Sequence, residues 1–308
     1  MKILILGYSS LCKRKIVPAL KEKLNNVKFC ICSKSQKKEN IGAYAWYRDY
    51  KVALEKSEAN LVYISLANYL HYFWAKKALE KNYHVIIDKP ATLNYKQAKS
   101  LVKLARKKKR LLSEAVVFNY HHQIRKSIKE IRSLKKLIHV SAKFVIPKLP
   151  KQNFRHFKKY GGGCVLDMGP YAAAAFRIFI NKNLKEIIYQ NCNKKNNKGT
   201  NTEFSIYVAT REKSFLGHFS LNGEYTNTLT LYAKRKRVII NRVFSPPNDQ
   251  NLILQINENN IKREKKLKKD DTFLNYLRQI VTFLQNKKFE TLYQNLLSDS
   301  FFREKLIK

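Results

Sequence analysis

Short apolar runs alternate with amphipathic stretches over the first third of the chain, and their spacing predicts strands and helices by turns. Met1-Lys2-Ile3-Leu4-Ile5-Leu6 is an apolar strand that runs straight into Gly7, and helical character follows at Ile16-Val17-Pro18-Ala19-Leu20. Residues 27–32, 60–66, 85–87 and 111–118 are further apolar runs. They are nearly continuous, which suits strands buried on both faces of a parallel sheet. Between them lie a helical run at 74–79, closed by Asn82 as a left-handed terminator, and a lysine-rich helix over 95–109. This βα alternation predicts a doubly wound parallel sheet.

The period then changes. After a helix-like segment at 123–137, residues 138–146, 184–191, 202–210, 215–221, 226–232, 238–240 and 252–256 are short and rich in β-branched and aromatic side chains. Polar turns such as 193–201 separate them, the pattern of an antiparallel meander. A helix is expected from Pro170 to about Phe179, its alanines Ala172 to Ala175 allowing close packing, and two more helices over 272–285 and 290–305 end the chain. The basic run 262–269 reads as a solvated hairpin or loop. The expected class is α/β: a Rossmann-type domain with a doubly wound parallel sheet over 1–120, then an α/β domain with a mostly antiparallel sheet over 121–308.

Candidate chemistry gathers where the predicted strands end. Val85-Ile86-Ile87 delivers Asp88-Lys89-Pro90 to the carboxyl edge of the sheet, where ligands of open α/β folds bind. A solvated lysine before a proline turn would explain that tripeptide alone. The first turn carries Gly7, Ser9 and Cys12 where a dinucleotide fingerprint has three glycines, with Ser10 and Leu11 between them. All three are small, and an ordinary strand-to-helix turn would also fit. The second strand ends in Ser33-Lys34-Ser35 with no carboxylate before Glu39, so this end suits the 2′-phosphate of NADP better than the free ribose of NAD, which remains open.

Three motifs in this order and spacing resemble the Gfo/Idh/MocA oxidoreductase family. They are Asn68 and His71 after Leu66, then Asp88-Lys89-Pro90, then Gly161-Gly162-Gly163-Cys164-Val165-Leu166-Asp167-Met168-Gly169-Pro170-Tyr171. The resemblance runs nearly end to end and implies hydride transfer between NAD(P) and a sugar, cyclitol or similar polyol. It implies Lys89, Asp167 and Tyr171 as catalytic residues, with Gly7, Ser9, Ser10, Leu11, Ser33, Lys34, Ser35, Leu66, Asn68, His71, Asp88 and Lys89 around the cofactor. The family's usual Glu-Lys-Pro is Asp-Lys-Pro here, a histidine common at the place of Tyr171 is missing, and Ala174 replaces a frequent acid. Tyrosine at this place resembles the nucleotide-sugar ketoreductase branch, in which lysine and tyrosine flank the ketone oxygen. Asn227, Arg242, Phe244 and Pro246-Pro247 also resemble that bacterial surface-sugar branch. The three glycines would let a ligand meet backbone, and Asp167 and Tyr171, four residues apart, would share a helix face.

Composition narrows the rest. The chain has 308 residues, 44% hydrophobic, enough for two cores. A formal charge of +40 would ordinarily suggest nucleic acid, but lysine is spread over every segment without a binding motif. The reading is therefore no specific nucleic acid, and a field that attracts anionic substrates such as a nucleotide sugar. Five cysteines that form no paired framework, a strand starting at Met1 with no room for a signal peptide, and no apolar run of about 18 residues fit a reduced, cytoplasmic protein. No third ligand type adjoins His121-His122, so no metal is expected. The resemblance implies a homodimer or homotetramer through the open sheet face. A non-catalytic relative that binds a dinucleotide or sugar is the alternative, suggested by Ser9, Cys12 and the missing histidine.

Overall fold

The apolar runs of the first third form one parallel sheet. Its strands are β1 (Lys2–Leu6), β2 (Lys28–Cys32), β3 (Trp46–Tyr47), β4 (Leu61–Ile64), β5 (His84–Asp88) and β6 (Leu112–Ala115), in the order β3-β2-β1-β4-β5-β6. Ile3 to Leu6, Leu61 to Ile64 and Val85 to Ile87 are sealed from solvent, as continuous apolar strands require. A π-helical turn Cys12–Ile16 leads into α1 (Val17–Lys23), followed by α2 (Tyr50–Lys56), α3 (Asn68–Glu80) and α4 (Tyr95–Lys108). Asp49 caps α2 and Asn94 caps α4 through their side-chain oxygens, and Asn82 has the expected left-handed backbone, φ +63°. The strand order reverses beside β1, so the switch point where such sheets bind ligands lies between β1 and β4.

The computed structural model describes residues 1–23, 27–132, 134–180, 188–196 and 199–307. Its contacts divide the chain into two units, Met1–Ala115 with Phe273–Leu297, and Val116–Thr272 with Ser298–Lys308. The second unit opens on α5 (His122–Glu130) and holds an eight-stranded sheet. Its strands are β7 (Leu137–Val145), β8 (Ile188–Lys195), β9 (Asn201–Ala209), β10 (Ser214–Ser220), β11 (Thr226–Ala233), β12 (Lys236–Asn241), β13 (Leu252–Glu258) and β14 (Ile261–Leu267), ordered β14-β13-β12-β11-β7-β10-β9-β8. Among the described residues of this sheet only the β7–β10 pairing is parallel. Helix α6 (Cys164–Phe179) lies across β7, β9 and β10, with Ala172 to Ala175 buried in that contact.

Several boundaries depart from the sequence pattern for physical reasons. Helix α6 starts six residues before Pro170, the proline falling inside the helix, because Gly163 at its N-cap already supplies the turn. The basic run 262–269 is largely strand β14 rather than loop. It is an exposed edge strand joined to β13 through Asn259 and Asn260, both left-handed. Lysines on such an edge repel further pairing. Helix α5 stops at Glu130, and β8 continues to Lys195 inside the predicted turn. Of the expected strand 184–191, residues 184–187 lie outside the described residues.

The tail also departs from a simple division at residue 120. Helices α7 (Thr272–Asn286) and α8 (Glu290–Lys305) bring Phe273–Leu297 into the first unit. There the Tyr276 hydroxyl donates to Ser113 Oγ at 2.8 Å and the Tyr293 hydroxyl to the Arg110 carbonyl at 2.5 Å. In the second unit Arg177 and Asp299 form a buried two-pronged ion pair at 2.7 and 2.9 Å. Among the described residues no helix is long and apolar enough to cross a membrane.

Two histidines, His121 buried and His84 half-buried, set a pH dependence of stability. His84 accepts the Leu111 N–H at Nδ1, 2.9 Å, and His121 accepts the Gln123 N–H, 3.2 Å. Burial holds both at about 4. In the unfolded chain they take a proton near pH 6.5. Between about pH 6.5 and 4 the unfolded state therefore binds more protons, and stability falls as pH falls through that interval. Urea unfolding midpoints should drop between pH 7.5 and 4.5; midpoints that stay level would mean that neither histidine resists protonation in the fold.

Candidate active site

The carboxyl edge of the parallel sheet brings together residues that the sequence singles out separately. Gly7 follows β1, Ser33 follows β2, Ser65 and Leu66 follow β4, and Lys89 follows β5. Gly7 has φ +93°, its N–H donates to the Cys32 carbonyl at 2.9 Å, and a Cβ there would sit 2.1 Å from the Ser65 carbonyl oxygen. Only glycine lets β1 leave the sheet at that point. Ser9 and Cys12 do not project into this turn as glycine substitutes. The Ser9 hydroxyl takes the Cys12 N–H at 3.1 Å and meets Ser65 Oγ at 2.7 Å, while Cys12 is wholly buried. Ser10 is exposed and Leu11 half-buried at the start of the helical turn.

Behind the edge runs a polar chain that the sequence does not announce. Tyr63 donates to Asp88 Oδ1 and Ser65 to Asp88 Oδ2, both at 2.6 Å. Burial raises the Asp88 carboxyl above the ordinary range, opposed by the hydroxyls of Ser65 and Tyr63 and by His71 and Lys89. Asp88 thus braces the turn that carries Lys89, whose bond to Pro90 is cis. From the far side the Ala91 N–H donates to Glu114 Oε1 at 2.7 Å. His71 is sealed inside and bonded to two backbone carbonyls, so it shapes this edge without facing solvent, and Asn68 is buried at the start of α3.

At the end of β2 the fit to a phosphate can be tested. Ser33 Oγ accepts the Gln36 N–H at 3.2 Å, and the Arg48 guanidinium bonds the carbonyls of Ser33 and Gln36, closing a tight turn. Lys34 and Ser35 project from it exposed, Lys34 Nζ 5.1 Å from the Tyr50 ring centre. Both nearby carboxylates are committed elsewhere. Glu39 takes the Tyr8 hydroxyl at 2.8 Å and the Lys13 ammonium at 2.6 Å, and Asp49 Oδ1 caps α2. Two cations beside acids that are already engaged suit a 2′-phosphate. Arg48 carries no strand-end signal in the sequence.

In the second unit, Asp167 and Tyr171 share one face of α6. The Tyr171 ring is held among Phe118, Phe144 and Phe244, with ring centres 6.1, 5.5 and 5.5 Å away. Asn227 fixes the segment that supplies Phe244. Its Oδ1 accepts the Phe244 N–H at 3.0 Å, its Nδ2 donates to Ser245 Oγ at 2.8 Å, and its carbonyl accepts the N–H of left-handed Arg242 at 2.7 Å. The glycine run lets two stretches of backbone approach closely. A Cβ on Gly162 would lie 2.5 Å from the Arg155 carbonyl oxygen, and the Gly163 N–H donates to that oxygen at 2.8 Å. The close approach carries Arg155 Nε to 3.0 Å from Asp167 Oδ2, an ion pair invisible in the sequence.

The expectation that His121-His122 has no third ligand type beside it is corrected by Asp270. Its Oδ2 accepts the backbone N–H of His122 at 2.7 Å and lies 2.8 Å from His122 Nδ1. Among the described residues these three side chains form the one His/Cys/Asp/Glu cluster compact enough to hold an ion. The two rings stack, 4.8 Å apart and inclined 26°, so their in-plane lone pairs run side by side rather than toward one point. The arrangement is that of a hydrogen-bonded His–Asp pair. Cys12, Cys30, Cys32 and Cys164 are buried, and burial pushes the Cys30 and Cys32 thiols up to about 11 and about 12, as core residues.

Comparison with known proteins finds relatives of the same fold. Residues 1–116 match the model of the Gfo/Idh/MocA oxidoreductase family, described as an NAD-binding Rossmann fold. A dTDP-3,4-didehydro-2,6-dideoxy-alpha-D-glucose 3-reductase of Saccharopolyspora spinosa is 27% identical, covering 88% of this chain and 83% of its own length. The same-named enzyme of Actinomadura kijaniata is 30% identical over 64% of this chain and 60% of its own. The crystal structure of a 3-ketoreductase from Actinomadura kijaniata with NADP and TDP-benzene matches at a TM-score of 0.92 and 22% identity, covering 100% of this chain and 97% of that one. That enzyme has also been solved with a lysine replaced by alanine or glutamate and a tyrosine replaced by phenylalanine.

Proposed function

We propose that this chain, which belongs to the Gfo/Idh/MocA oxidoreductase family through its NAD-binding domain, reduces a ketone on a nucleotide-linked sugar with NADPH. The observation that carries the reading is the sheet edge, where a dinucleotide turn, a turn bearing Lys34 beside Arg48, and Lys89 follow β1, β2 and β5, on the two sides of the switch point. The near full-length likeness to sugar-nucleotide 3-reductases supports the substrate class.

Gly7, Ser10 and Leu11 would hold the cofactor's diphosphate, Ser33, Lys34, Ser35 and Arg48 its adenosine end, and Leu66 and Asn68 its nicotinamide end. Bound NADPH supplies the hydride. The protein must then meet the negative charge that grows on the ketone oxygen. Tyr171 donates the proton, its ring orientation set by the aromatic cradle, and Lys89 supplies the positive charge. Asp167 holds Arg155 and thereby the loop ahead of α6. The excess positive charge draws in the anionic sugar nucleotide. The apolar rings about Tyr171 suit a sugar that has lost hydroxyl groups. We place the enzyme in the cytoplasm as a homodimer or homotetramer.

Titration with NADPH and NADH, followed by nicotinamide fluorescence, tests the cofactor reading. NADPH should bind at least tenfold more tightly. Taking one cation away from the 2′-phosphate, in Lys34→Ala, should weaken NADPH binding by roughly 10-fold or more while leaving NADH unchanged. Equal affinities for the two cofactors would remove the 2′-phosphate site. Binding of NADPH without turnover of any keto-sugar nucleotide would favour a non-catalytic sensor.

A further inference from the structure

We propose that His71 is a doubly protonated clamp, an imidazolium that ties the turn after β4 to the turn after β5 and so fixes the backbone carrying Lys89. His71 lies in the first turn of α3 and is wholly buried. Its Nδ1 is 2.8 Å from the Pro90 carbonyl oxygen and its Nε2 is 2.9 Å from the Leu66 carbonyl oxygen. A carbonyl oxygen only accepts, and a neutral imidazole has a single N–H. In the neutral ring one nitrogen lone pair would therefore face a carbonyl lone pair at hydrogen-bond distance, out of reach of bulk water. With both nitrogens protonated each carbonyl receives a donor, and the bonds are charge-assisted.

The buried charge has a counterion. Asp88 stands two residues before Pro90, and its carboxylate receives the Tyr63 and Ser65 hydroxyls, one on each oxygen. Those donors favour its ionised form. Burial pulls the His71 imidazole below its ordinary pKa, the Pro90 carbonyl, Asp88 and the Leu66 carbonyl pull it up, and Lys89 adds to the downward pull. The hydrogen-bond count decides between these influences, because only the charged ring satisfies both carbonyls. Asp88 from β5 and Lys89 from the turn after it are the charged groups facing the ring.

The clamp rests on the reading of Lys89 as the catalytic cation, since its use is to hold the Lys89–Pro90 turn against the Leu66 turn. His71 is a positioning residue. Losing one of its two bonds frees the Pro90 or Leu66 carbonyl and lets the lysine backbone shift. A displacement of about 1 Å costs up to roughly 100-fold in rate.

The test is two-bond ¹H–¹⁵N correlation spectroscopy of ¹⁵N-histidine-labelled protein across pH 6 to 9. The seven histidines are assigned by single replacement. If His71→Asn does not fold, His71 is the signal left after the other six. The expected result is that His71 keeps both ring nitrogens protonated well above pH 7, past the ordinary value of about 6.5. A His71 signal with one unprotonated nitrogen at pH 7 overturns the clamp. In the folded His71→Asn protein kcat should fall roughly 10- to 100-fold, whereas a change confined to thermal stability would reduce His71 to a packing residue. The spectrum reads the clamp without turnover, so an inactive protein with a persistent imidazolium would refute the catalytic reading alone.

Discussion

Tyr171→Phe should cut the turnover of a keto-sugar nucleotide by roughly 100- to 10,000-fold, the range for losing a positioned general acid. The substitution removes one oxygen and keeps the ring, so the packing against Phe118, Phe144 and Phe244 survives and the thermal midpoint should hardly move. Lys89→Ala should lose turnover on a similar scale, because charge developing on the substrate oxygen would find no cation. NADPH affinity should change little in Tyr171→Phe. Single-turnover loss of NADPH fluorescence separates the chemical step from binding and product release. A phenylalanine variant with full single-turnover rate would remove Tyr171 from proton donation. Both substitutions active would leave the fold as a carrier of some other reaction.

What the sequence revealed and what it hid divide along the distance of the contacts involved. The apolar run ending in Asp88-Lys89-Pro90, Gly7 after β1 and Asn82 after α3 each depend on a backbone preference a few residues long, and each stands where the pattern puts it. Short runs of β-branched and aromatic residues between polar turns also made the second sheet legible almost strand by strand. Pro170 misled because proline is read as a first-turn residue, whereas α6 is already nucleated at the glycines before it. The lysines of β14 misled because charge suggests loop, yet an edge strand with both faces wet tolerates it.

The polar partners of the candidate site were not legible at all. Asp88 with Tyr63, Asp167 with Arg155, and His122 with Asp270 are separated along the chain by 25, 12 and 148 residues, and no local rule joins them. Ser9 shows the same limit more sharply. As a small residue in a glycine's place it is neutral in the fingerprint, but the fold gives it a hydroxyl partner in Ser65 and so a link to Asp88. In this protein the altered fingerprint is therefore joined to Asp88 by a hydrogen-bonded chain that the glycine version of the motif would lack.

Gly7→Ala should be the most damaging single change to the first unit. At φ +93° an L-residue is strained by about 1–3 kcal/mol from its backbone alone. The added Cβ would then stand 2.1 Å from the Ser65 carbonyl oxygen and 2.8 Å from Leu66 Cδ2. The first of these is backbone at the end of a central strand, where no rotamer change gives relief, so the turn itself must move. Overpacking of this kind costs about 1–3 kcal/mol more. The sum is a large part of the roughly 5–15 kcal/mol that holds a domain folded. Ser65 would be displaced with the turn, and Asp88, which takes the Ser65 hydroxyl, would lose a donor. Denaturant unfolding should show the loss as a lower midpoint, with NADPH binding weakened in whatever fraction stays folded. A Gly7→Ala protein with the wild-type midpoint would mean that β1 can leave the sheet without a left-handed residue at this turn.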